Sequence, residues 1–157
     1  MNDVSNKKIV PELLAPAGNM ECLRTAAYFG ADAVYVAGKA YGLRAFADNF
    51  NYNQLADSAE FLHKMGKKLY VTVNVLMRNA DLPGLPKHLS KLKEAGADAV
   101  IVSDPAAVLM AREAGLEVHL STQVSTANAV SARFWYEQGV KRVVLARELS
   151  LKEIKQI

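Results

Sequence analysis

The chain alternates short apolar runs with longer amphipathic stretches. Val-rich runs of about five residues are followed by stretches of about ten to twelve residues in which apolar positions recur at helical spacing. Strands that alternate with helices in this way are typical of βα units, which build a parallel sheet. The pattern therefore predicts an α/β protein.

The same pattern places six strands and six helices along the chain. The predicted strands are Pro11–Ala15, Asp32–Val36, Lys68–Asn74, Asp98–Ser103, Glu117–Ser121 and Arg142–Ala146. Five predicted helices lie between them, at Asn19–Phe29, Asn53–Met65, Leu85–Ala95, Pro105–Ala114 and Ala127–Gln138. A sixth helix is predicted to begin at Ser150, because Glu153 follows it at the spacing of a capping box.

A five-residue repeat supports these boundaries. The sequence GADAV occurs at Gly30–Val34 and again at Gly96–Val100, each time between a predicted helix and a predicted strand. A degenerate copy, GVKRV, spans Gly139–Val143. Glycine is favoured at the left-handed residue just past a helix end, so the first residue of each copy is predicted to end a helix.

Two architectures are compatible with alternating βα units: an open doubly wound sheet and a closed (β/α)8 barrel. Length favours the open sheet, since a complete barrel needs about 250 residues. The barrel is favoured by the lack of GxGxxG after the first strand, by a repeat at every second strand, and by polar residues after every strand. We interpret residues 1–157 as one domain, a partial (β/α)8 barrel that lacks its C-terminal units.

Composition changes this picture little. The chain is 51% hydrophobic and 22% charged, as globular proteins usually are. Its net charge of +3 permits RNA as a partner but argues for it only weakly, because basic and acidic residues are interspersed. Cys22 is the single cysteine, which excludes an internal disulfide and a site of paired cysteines. With no signal-peptide pattern or membrane span, we expect a cytoplasmic protein.

Strand alternation predicts which side chains face the barrel interior. On the third and fifth strands the apolar set at every second position is expected to face the helices. The inward set is then polar, comprising Tyr70, Thr72, Asn74, His119, Ser121 and Gln123. An interior filled only for stability prefers Val, Ile and Leu, so this set indicates an open, ligand-holding mouth. A packed interior whose polar groups satisfy one another is the alternative.

The start of the first helix is a candidate anion site. Gly18 and Asn19 lie where free backbone amides can hold a phosphate or carboxylate. Asn is also a preferred N-cap residue, and a plain helix cap is the favoured interpretation.

The longest connection, Ala37–Tyr52, is a second candidate binding site. It combines Tyr41, Arg44 and Asn49 with further aromatic residues. Such a set can stack a ring while the guanidinium binds a carboxylate or phosphate. A lid packed on the barrel rim would use the same residues.

The fifth strand offers residues for a peptidase, which would pair Ser121 or Ser125 with His119. We expect this geometry to be poor, because His119 and Ser121 share one strand face and no carboxylate on the strand is expected to orient the imidazole. The other barrel-mouth candidates are Asn74, Ser103, Asp104, Gln123 and Glu148, with Arg147 as a substrate-binding residue.

Several of these residues also have purely structural interpretations. Asp104 before a proline is a plausible helix cap. Arg147 and Glu148 can form a surface ion pair. His63 and His88 are expected on solvated helix faces, and no metal site is predicted.

The remaining unusual residues are predicted to be structural. Trp135 and Tyr136 are expected to pack a helix against the barrel. Cys22 is expected to be a small buried apolar group rather than a nucleophile.

Six segments of the chain resemble the collagenase-like peptidases of family U32. They are PELLAPAGNMECL, GADAVYVAGKAYGLRAFADNF, KKLYVTVN, VSDPAAV, HLSTQVSTAN and VVLARELSLKEI, which lie at the first to the sixth strand in order. The resemblance covers nearly the whole chain from Pro11 onward.

The resemblance implies an N-terminal barrel-like catalytic domain. Some family members are described as proteases that degrade collagen. Others are similar to proteins needed to hydroxylate uridine in tRNA, cytidine in rRNA or the ubiquinone ring. These relatives carry an iron-sulfur cluster and in some cases use prephenate. The cluster cysteines lie in a signature that this chain does not reach, and Cys22 matches none of them.

We therefore expect this chain to be the N-terminal part of an enzyme that hydroxylates an RNA base. The missing part is expected to supply the cluster, and this part alone is expected to be inactive. A peptidase and a non-catalytic module that binds RNA or protein are the alternatives. The expected partner is RNA or a small carboxylate such as prephenate, or else a protein substrate, with no membrane. Open sheet edges also favour self-association.

Overall fold

The computed structural model of the chain describes residues 10–43 and 49–157. Within these ranges the strands are β1 (Leu14–Pro16), β2 (Ala33–Ala37), β3 (Lys68–Val73), β4 (Ala99–Val102), β5 (Glu117–Leu120) and β6 (Arg142–Val143). Every neighbouring pair is parallel, and the order in the sheet follows the chain from β1 to β6.

This strand order distinguishes the two predicted architectures. A doubly wound sheet reverses its order at a switch point, whereas each strand of a barrel wall pairs with the next. No reversal occurs among the described strands. The chain is therefore a half-barrel of βα units, which confirms the partial-barrel prediction and excludes the doubly wound sheet.

The α-helices within the same ranges are α1 (Met20–Tyr28), α2 (Tyr52–Lys64), α3 (Leu85–Glu94), α4 (Pro105–Glu113), α5 (Ala129–Glu137) and α6 (Leu151–Ile154). The predicted capping box of Ser150 and Glu153 is present at α6. Asn51 and Gln54 form a second box at α2. Two 3-10 turns, Leu82–Gly84 and Thr122–Val124, escaped prediction because a single turn shows no periodicity. In the described ranges, no helix has the length and apolar character needed to cross a bilayer.

Each strand places one face against the helices and the other toward the barrel interior. The helix-facing side is apolar and buried, with Val34, Val36, Leu69, Val71, Val73, Val100, Val102, Val118 and Leu120. The interior side carries a separate small cluster of Ala33, Tyr70, Ala99 and Ile101. Leu69 and Tyr70 fall in different clusters, as the alternation of the third strand predicted.

The two GADAV copies make the same pair of hydrogen bonds. The amide of Asp32 donates to the backbone oxygen of Leu13 at 2.8 Å, and its carboxylate accepts from the Leu13 amide at 2.7 Å. Asp98 holds Leu69 in the same way, at 2.9 and 2.7 Å. In the third copy the equivalent residue is Lys141, whose ammonium cannot accept a hydrogen bond. The repeat thus clamps the start of the preceding strand in its first two copies.

The glycines that open the three copies have the predicted left-handed conformation. Gly30, Gly96 and Gly139 have φ values of 101°, 85° and 85°. Residues with a Cβ avoid this region, so glycine lets the chain leave each helix and enter the next strand without strain.

An ion pair spans the interior at the amino ends of the strands. Arg142, the first residue of β6, donates to the carboxylate of Glu12, which lies just before β1. The Tyr70 hydroxyl donates to both oxygens of that carboxylate, at 2.9 and 3.0 Å. We call these three residues the barrel floor. In (β/α)8 barrels this end serves stability rather than catalysis.

Three expectations about element ends and packing are wrong. β6 is shorter than predicted, because the chain leaves β5 after Val144: the Val144 amide still donates to Leu120, whereas the Ala146 amide donates to the backbone oxygen of Thr126, beyond β5. Cys22 is exposed rather than buried, since it lies in the first turn of α1 on the solvent side of Leu23. Tyr136 is 70% exposed. Trp135 packs against the core as predicted.

Candidate functional site

A polar network joins the carboxyl ends of β3, β4 and β5. Nδ2 of Asn74 donates to Oε1 of Gln123 at 2.6 Å, and Nε2 of Gln123 donates to the backbone oxygen of Asn74 at 3.3 Å. Ser103 donates to that same backbone oxygen at 3.2 Å, and Ser121 donates to Oε1 of Gln123 at 3.1 Å. The fold thus brings four of the predicted candidates together. We call them the mouth network.

The mouth network also anchors the chain that follows β2. The amide of Leu43 donates to Oδ1 of Asn74 at 3.4 Å, and the amide of Val75 donates to the backbone oxygen of Tyr41 at 3.1 Å. The Tyr41 hydroxyl donates to the backbone oxygen of Asp81 at 2.9 Å. Tyr41 has a φ of 60°, which is rare for a bulky residue and persists only where the surroundings hold it. Three hydrogen bonds therefore hold a strained turn at the mouth.

The side chains of the mouth network are uncharged. Ser121 is buried, Asn74 and Ser103 are half-buried, and Gln123 is exposed. Amides and hydroxyls present donors and acceptors together. Amide side chains are also the groups that pair with the edge of a nucleobase. This arrangement can hold a neutral, planar polar group that enters from solvent.

His119 lies away from the mouth network, near the barrel floor. It is 1% exposed and pairs in the sheet with Arg142. Its ring makes an edge contact with Tyr70 at a centroid distance of 4.6 Å. The prediction of a histidine at the mouth is wrong, because residues two apart on one strand face are separated by about 7 Å along the strand.

A carboxylate on the same strand orients His119, contrary to expectation. Nε2 of His119 forms a hydrogen bond of 2.8 Å with Oε1 of Glu117. Burial lowers the pKa of the imidazole, and the hydrogen bond to Glu117 opposes that effect. The spacing of two residues on a predicted strand was the signal that could have revealed this pair.

The geometry of a Ser–His peptidase is absent from the described part of the chain. The Ser121 hydroxyl donates to Gln123 rather than to His119. His119 instead bonds to Glu117. A nucleophile and its base must lie within hydrogen-bond reach of each other, and these two do not.

Two other predicted candidates are helix caps. Asn19 accepts from the amide of Cys22 at 2.9 Å at the start of α1, with Gly18 exposed before it. Asp104 accepts from the amide of Ala106 at 2.8 Å at the start of α4. Both side chains do what the cap interpretation predicted.

Arg147 and Glu148 lie in an exposed turn between β6 and α6. They sit at the carboxyl end of the barrel but outside the mouth network. The ion pair considered between them is not formed within the described ranges.

The connection after β2 contains three predicted binding residues. Tyr41 is half-buried and packs on His88 with ring centroids 4.8 Å apart, so its ring contacts protein rather than open solvent. Asn49 is half-buried just before α2. Arg44 lies outside the described residues.

His88 is a residue that the sequence interpretation placed wrongly. It is 4% exposed rather than solvated, and its Nδ1 lies 2.7 Å from the Tyr52 hydroxyl. Burial lowers the pKa of His88 to about 4. Its spacing from Leu85 and Leu92, which are both buried on α3, was the signal that could have found it.

The family resemblance implies an iron-sulfur cluster, which thiolates normally hold. Cys22 is the single cysteine of the chain and is exposed on α1. Among the described residues, no three or more His, Cys, Asp or Glu side chains form a group that could hold a metal ion. The residues described here do not fit the cluster.

Comparison with known proteins gives a consistent result. The model of peptidase family U32 matches residues 18–157. The tRNA hydroxylation protein P1 of Bacillus subtilis is 45% identical in an alignment of 159 positions that covers 98% of this chain and 38% of that protein. A collagenase of Porphyromonas gingivalis is 39% identical over 147 residues, which cover 93% of this chain and 35% of that protein.

A solved structure shares the fold. The U32 peptidase Mk0906 matches with a TM-score of 0.77 at 17% identity, over 94% of this chain and 64% of that one.

The chain spans between a third and two fifths of the length of the two curated relatives. The family model covers most of the chain and the relatives exceed a third in identity, so the chain belongs to peptidase family U32.

Proposed function

We propose that this protein takes part in hydroxylating a base of tRNA, and that the mouth network binds that base. The observation that carries the proposal is the hydrogen-bonded pair of amides, Asn74 and Gln123, at the carboxyl ends of the barrel strands. Catalytic residues of (β/α)8 barrels come from this end. Relatives named tRNA hydroxylation proteins support the choice of RNA.

In this proposal the residues of the chain bind and orient the base. An amide offers one acceptor and two donors, which complement the donor and acceptor edge of a pyrimidine or purine. Asn74 and Gln123 satisfy each other in the structure, so an incoming base would take over hydrogen bonds that the two side chains already form. Ser103 and Ser121 then keep Asn74 and Gln123 in place.

The redox chemistry belongs to groups beyond these residues. We infer that an iron-sulfur cluster serves the reaction in the intact protein, with thiolates from outside this chain. A small carboxylate such as prephenate is proposed as a further reactant, on the family resemblance. The described residues carry out binding and orientation alone.

We also propose where the protein acts and whether the half-barrel associates with itself. We propose a cytoplasmic location, where a tRNA substrate would be found. The edges of β1 and β6 are unpaired in the described sheet, and Phe29 and Val130 are 86% and 80% exposed. Such edges and apolar side chains favour self-association of the half-barrel by itself.

Peptide hydrolysis is the second candidate. The relative named as a collagenase favours it. The positions of Ser121 and His119 argue against a Ser–His mechanism, since the Ser121 hydroxyl donates to Gln123 at the mouth while His119 packs on Tyr70 near the barrel floor.

One experiment compares Gln123→Ala with Ser121→Ala in the intact protein, produced in cells that lack the natural gene. Nucleosides of the tRNA are analysed by mass spectrometry, and hydrolysis of denatured collagen is measured in parallel. We expect wild type to restore a hydroxylated base. Gln123→Ala should reduce that product more than Ser121→Ala does, because it removes the acceptor of two hydrogen bonds.

Three outcomes would contradict the proposal. Collagen hydrolysis that Ser121→Ala abolishes would establish the peptidase. Tight tRNA binding with no hydroxylated product would indicate a non-catalytic binding module. A product level that neither substitution changes would remove the mouth network from the reaction.

A further inference from the structure

Tyr41 is held in a backbone conformation that few residues of its kind adopt. Its φ of 60° lies in the left-handed region, where a bulky side chain strains the backbone. Gly42, which could adopt this conformation without strain, directly follows Tyr41 and does not take it. Strain of this kind persists where the surrounding structure imposes it, and it is concentrated at functional sites. The conformation of Tyr41 therefore calls for a reason.

Tyr41 braces the connection between β3 and α3, residues 74–84, at both of its ends. We call this connection the β3 loop. The backbone oxygen of Tyr41 accepts from the amide of Val75 at 3.1 Å, and its hydroxyl donates to the backbone oxygen of Asp81 at 2.9 Å. Asp81 is itself fixed, because its carboxylate accepts from the amide of Arg78 at 2.8 Å. A single residue thus holds the start of the β3 loop against its end.

Gly84 makes room for the Tyr41 hydroxyl. Gly84 has a φ of −86° and a ψ of −17°, a conformation open to any residue. A Cβ added there would lie 2.6 Å from the hydroxyl oxygen of Tyr41. Outside its own stretch of chain, no other described residue comes within 4 Å of that Cβ. The glycine at the end of the β3 loop is therefore a second, independent sign that the chain is built around the position of Tyr41.

The turn that Tyr41 holds also sets the orientation of the Asn74 side chain. The amide of Leu43 meets Oδ1 of Asn74 at 3.4 Å. A backbone N–H can only donate, so the atom it meets is the oxygen of the side-chain amide. The nitrogen then points to Oε1 of Gln123, at 2.6 Å. The opposite orientation would bring two oxygens together, which repel each other.

This orientation decides which atoms remain for a ligand. Nδ2 of Asn74 and Nε2 of Gln123 each carry two hydrogens, and each donates one hydrogen bond among the described residues. Oε1 of Gln123 already accepts from Asn74 and from Ser121. Each amide therefore keeps one hydrogen for an acceptor atom of a ligand.

We propose that Tyr41 is a positioning residue of the mouth network. It holds the amides of Leu43 and Val75 on either side of Asn74, and so keeps the free hydrogen of Asn74 available to the substrate. Its own ring packs on His88, with centroids 4.8 Å apart, so Tyr41 acts through Asn74. The role in the reaction rests on the proposed function, whereas the orientation of Asn74 does not.

The first test follows the side-chain amide of Asn74 by NMR in the isotope-labelled intact protein, with Asn74→Ala to identify its signals. Tyr41→Phe keeps the ring on His88 and removes the hydrogen bond to Asp81. We expect it to shift both Nδ2 proton signals and to speed hydrogen exchange at the Leu43 amide about three- to tenfold, since one hydrogen bond is lost. Unchanged signals of Asn74 would overturn the proposal.

Gly84→Ala tests the same contact from the other side. The added Cβ should displace the Tyr41 hydroxyl and change the Asn74 signals as Tyr41→Phe does. In the Tyr41→Phe background the obstructing oxygen is gone, so Gly84→Ala should have no further effect. Additive effects of the two substitutions would contradict the brace. Gly84→Ala also keeps the proposal testable should Tyr41→Phe unfold the protein.

The reaction is measured as the rate at which hydroxylated base appears in tRNA after each variant is induced in cells that lack the natural gene, per amount of protein. Tyr41→Phe should lower this rate about three- to tenfold. Tyr70→Phe is the matched control, because it also removes a hydroxyl that donates hydrogen bonds, but at the barrel floor. It should lower stability and leave the rate unchanged. Equal losses in both variants would show that Tyr41 serves stability alone.

The two measurements separate this inference from the proposed function. If wild type makes no hydroxylated base, the proposed function fails, and the Asn74 signals still decide whether Tyr41 orients the amide. If wild type makes the base and Tyr41→Phe leaves either the Asn74 signals or the rate as in wild type, Tyr41 is not a positioning residue and the proposed function stands.

Discussion

Asn74 and Gln123 are 49 residues apart in the sequence, and each donates a hydrogen bond to the other. The first bond joins the side chains at 2.6 Å, and the second reaches the Asn74 backbone at 3.3 Å. Asn74 follows β3 and Gln123 follows β5, so this pair bridges over β4. It ties three strand ends and the turn after β2 into one unit.

The bridge predicts the effect of Asn74→Ala. The substitution removes the acceptor of the Leu43 amide and the donor to Gln123. We expect a loss of about 1 kcal/mol in the free energy of unfolding, and faster hydrogen exchange at the Leu43 amide. Urea unfolding and amide exchange by NMR measure the two effects. Asn53→Ala, on an exposed turn of α2, is the control, and equal exchange rates at Leu43 in both variants would contradict the prediction.

The hydrogen bonds of the GADAV repeat predict that substitution of its two aspartates lowers the free energy of unfolding by unequal amounts. Asp98 accepts from the Leu69 amide and from Nε2 of His63, whereas Asp32 accepts from the Leu13 amide at the sheet edge. Asp98→Ala should lower the free energy of unfolding by about 2 kcal/mol and Asp32→Ala by about 1 kcal/mol.

Urea unfolding of both variants measures this difference. Asp57→Ala is the control, because Asp57 is exposed on α2 and makes no hydrogen bond among the described residues. A larger loss at Asp32 than at Asp98 would show that the clamp on the edge strand matters more than the second partner.

The ion pair of the barrel floor predicts that the free energy of unfolding decreases in acid. The hydrogen bond from Arg142 holds the pKa of Glu12 below its ordinary value of 4.5. The folded state therefore releases this proton more readily than the unfolded state. Its contribution to stability is present above pH 4.5 and is lost as the pH falls through the folded pKa.

Glu12→Gln removes this contribution. Urea unfolding at pH 5 and pH 3 should show a smaller difference between the two pH values in the variant than in wild type. The exposed Glu113→Gln is the control and should behave as wild type. The same difference in Glu12→Gln and wild type would mean that the ion pair with Arg142 does not stabilise the fold.

The buried His88 predicts a second pH dependence of the free energy of unfolding, at higher pH than that of Glu12. Its pKa falls from 6.5 to about 4 on folding, so the unfolded state binds the proton more tightly between these values. Stability should therefore decrease as the pH falls from 7 to 4, by up to about 3 kcal/mol from this group. In His88→Phe that part of the slope should disappear.

Denaturant unfolding across that range checks the prediction. Asn53→Ala is the control, since Asn53 is exposed on α2 and its side chain does not titrate. An unchanged slope in His88→Phe would show that other groups cause the acid sensitivity.

The order of the elements and the barrel wall could be predicted from local patterns in the sequence. Apolar positions at periods of two and of about 3.6 residues depend only on which side of a strand or helix faces the core, and that is a local property. The glycines and caps are local too, as Gly96 and Ser150 show, because their roles follow from backbone geometry within one turn. The inward direction of Asn74 and Ser121 followed from the same alternation.

The contacts between distant side chains could not be predicted in this way. The pairing of Asn74 with Gln123 depends on strand register, and that of Glu12 with Arg142 on the curvature of the whole sheet, over 130 residues. His88 divides between the two: its spacing on α3 places it on the buried face, whereas its contacts with Tyr41 and Tyr52 depend on the chain that packs over α3. Contacts between distant segments depend on packing that no local pattern contains.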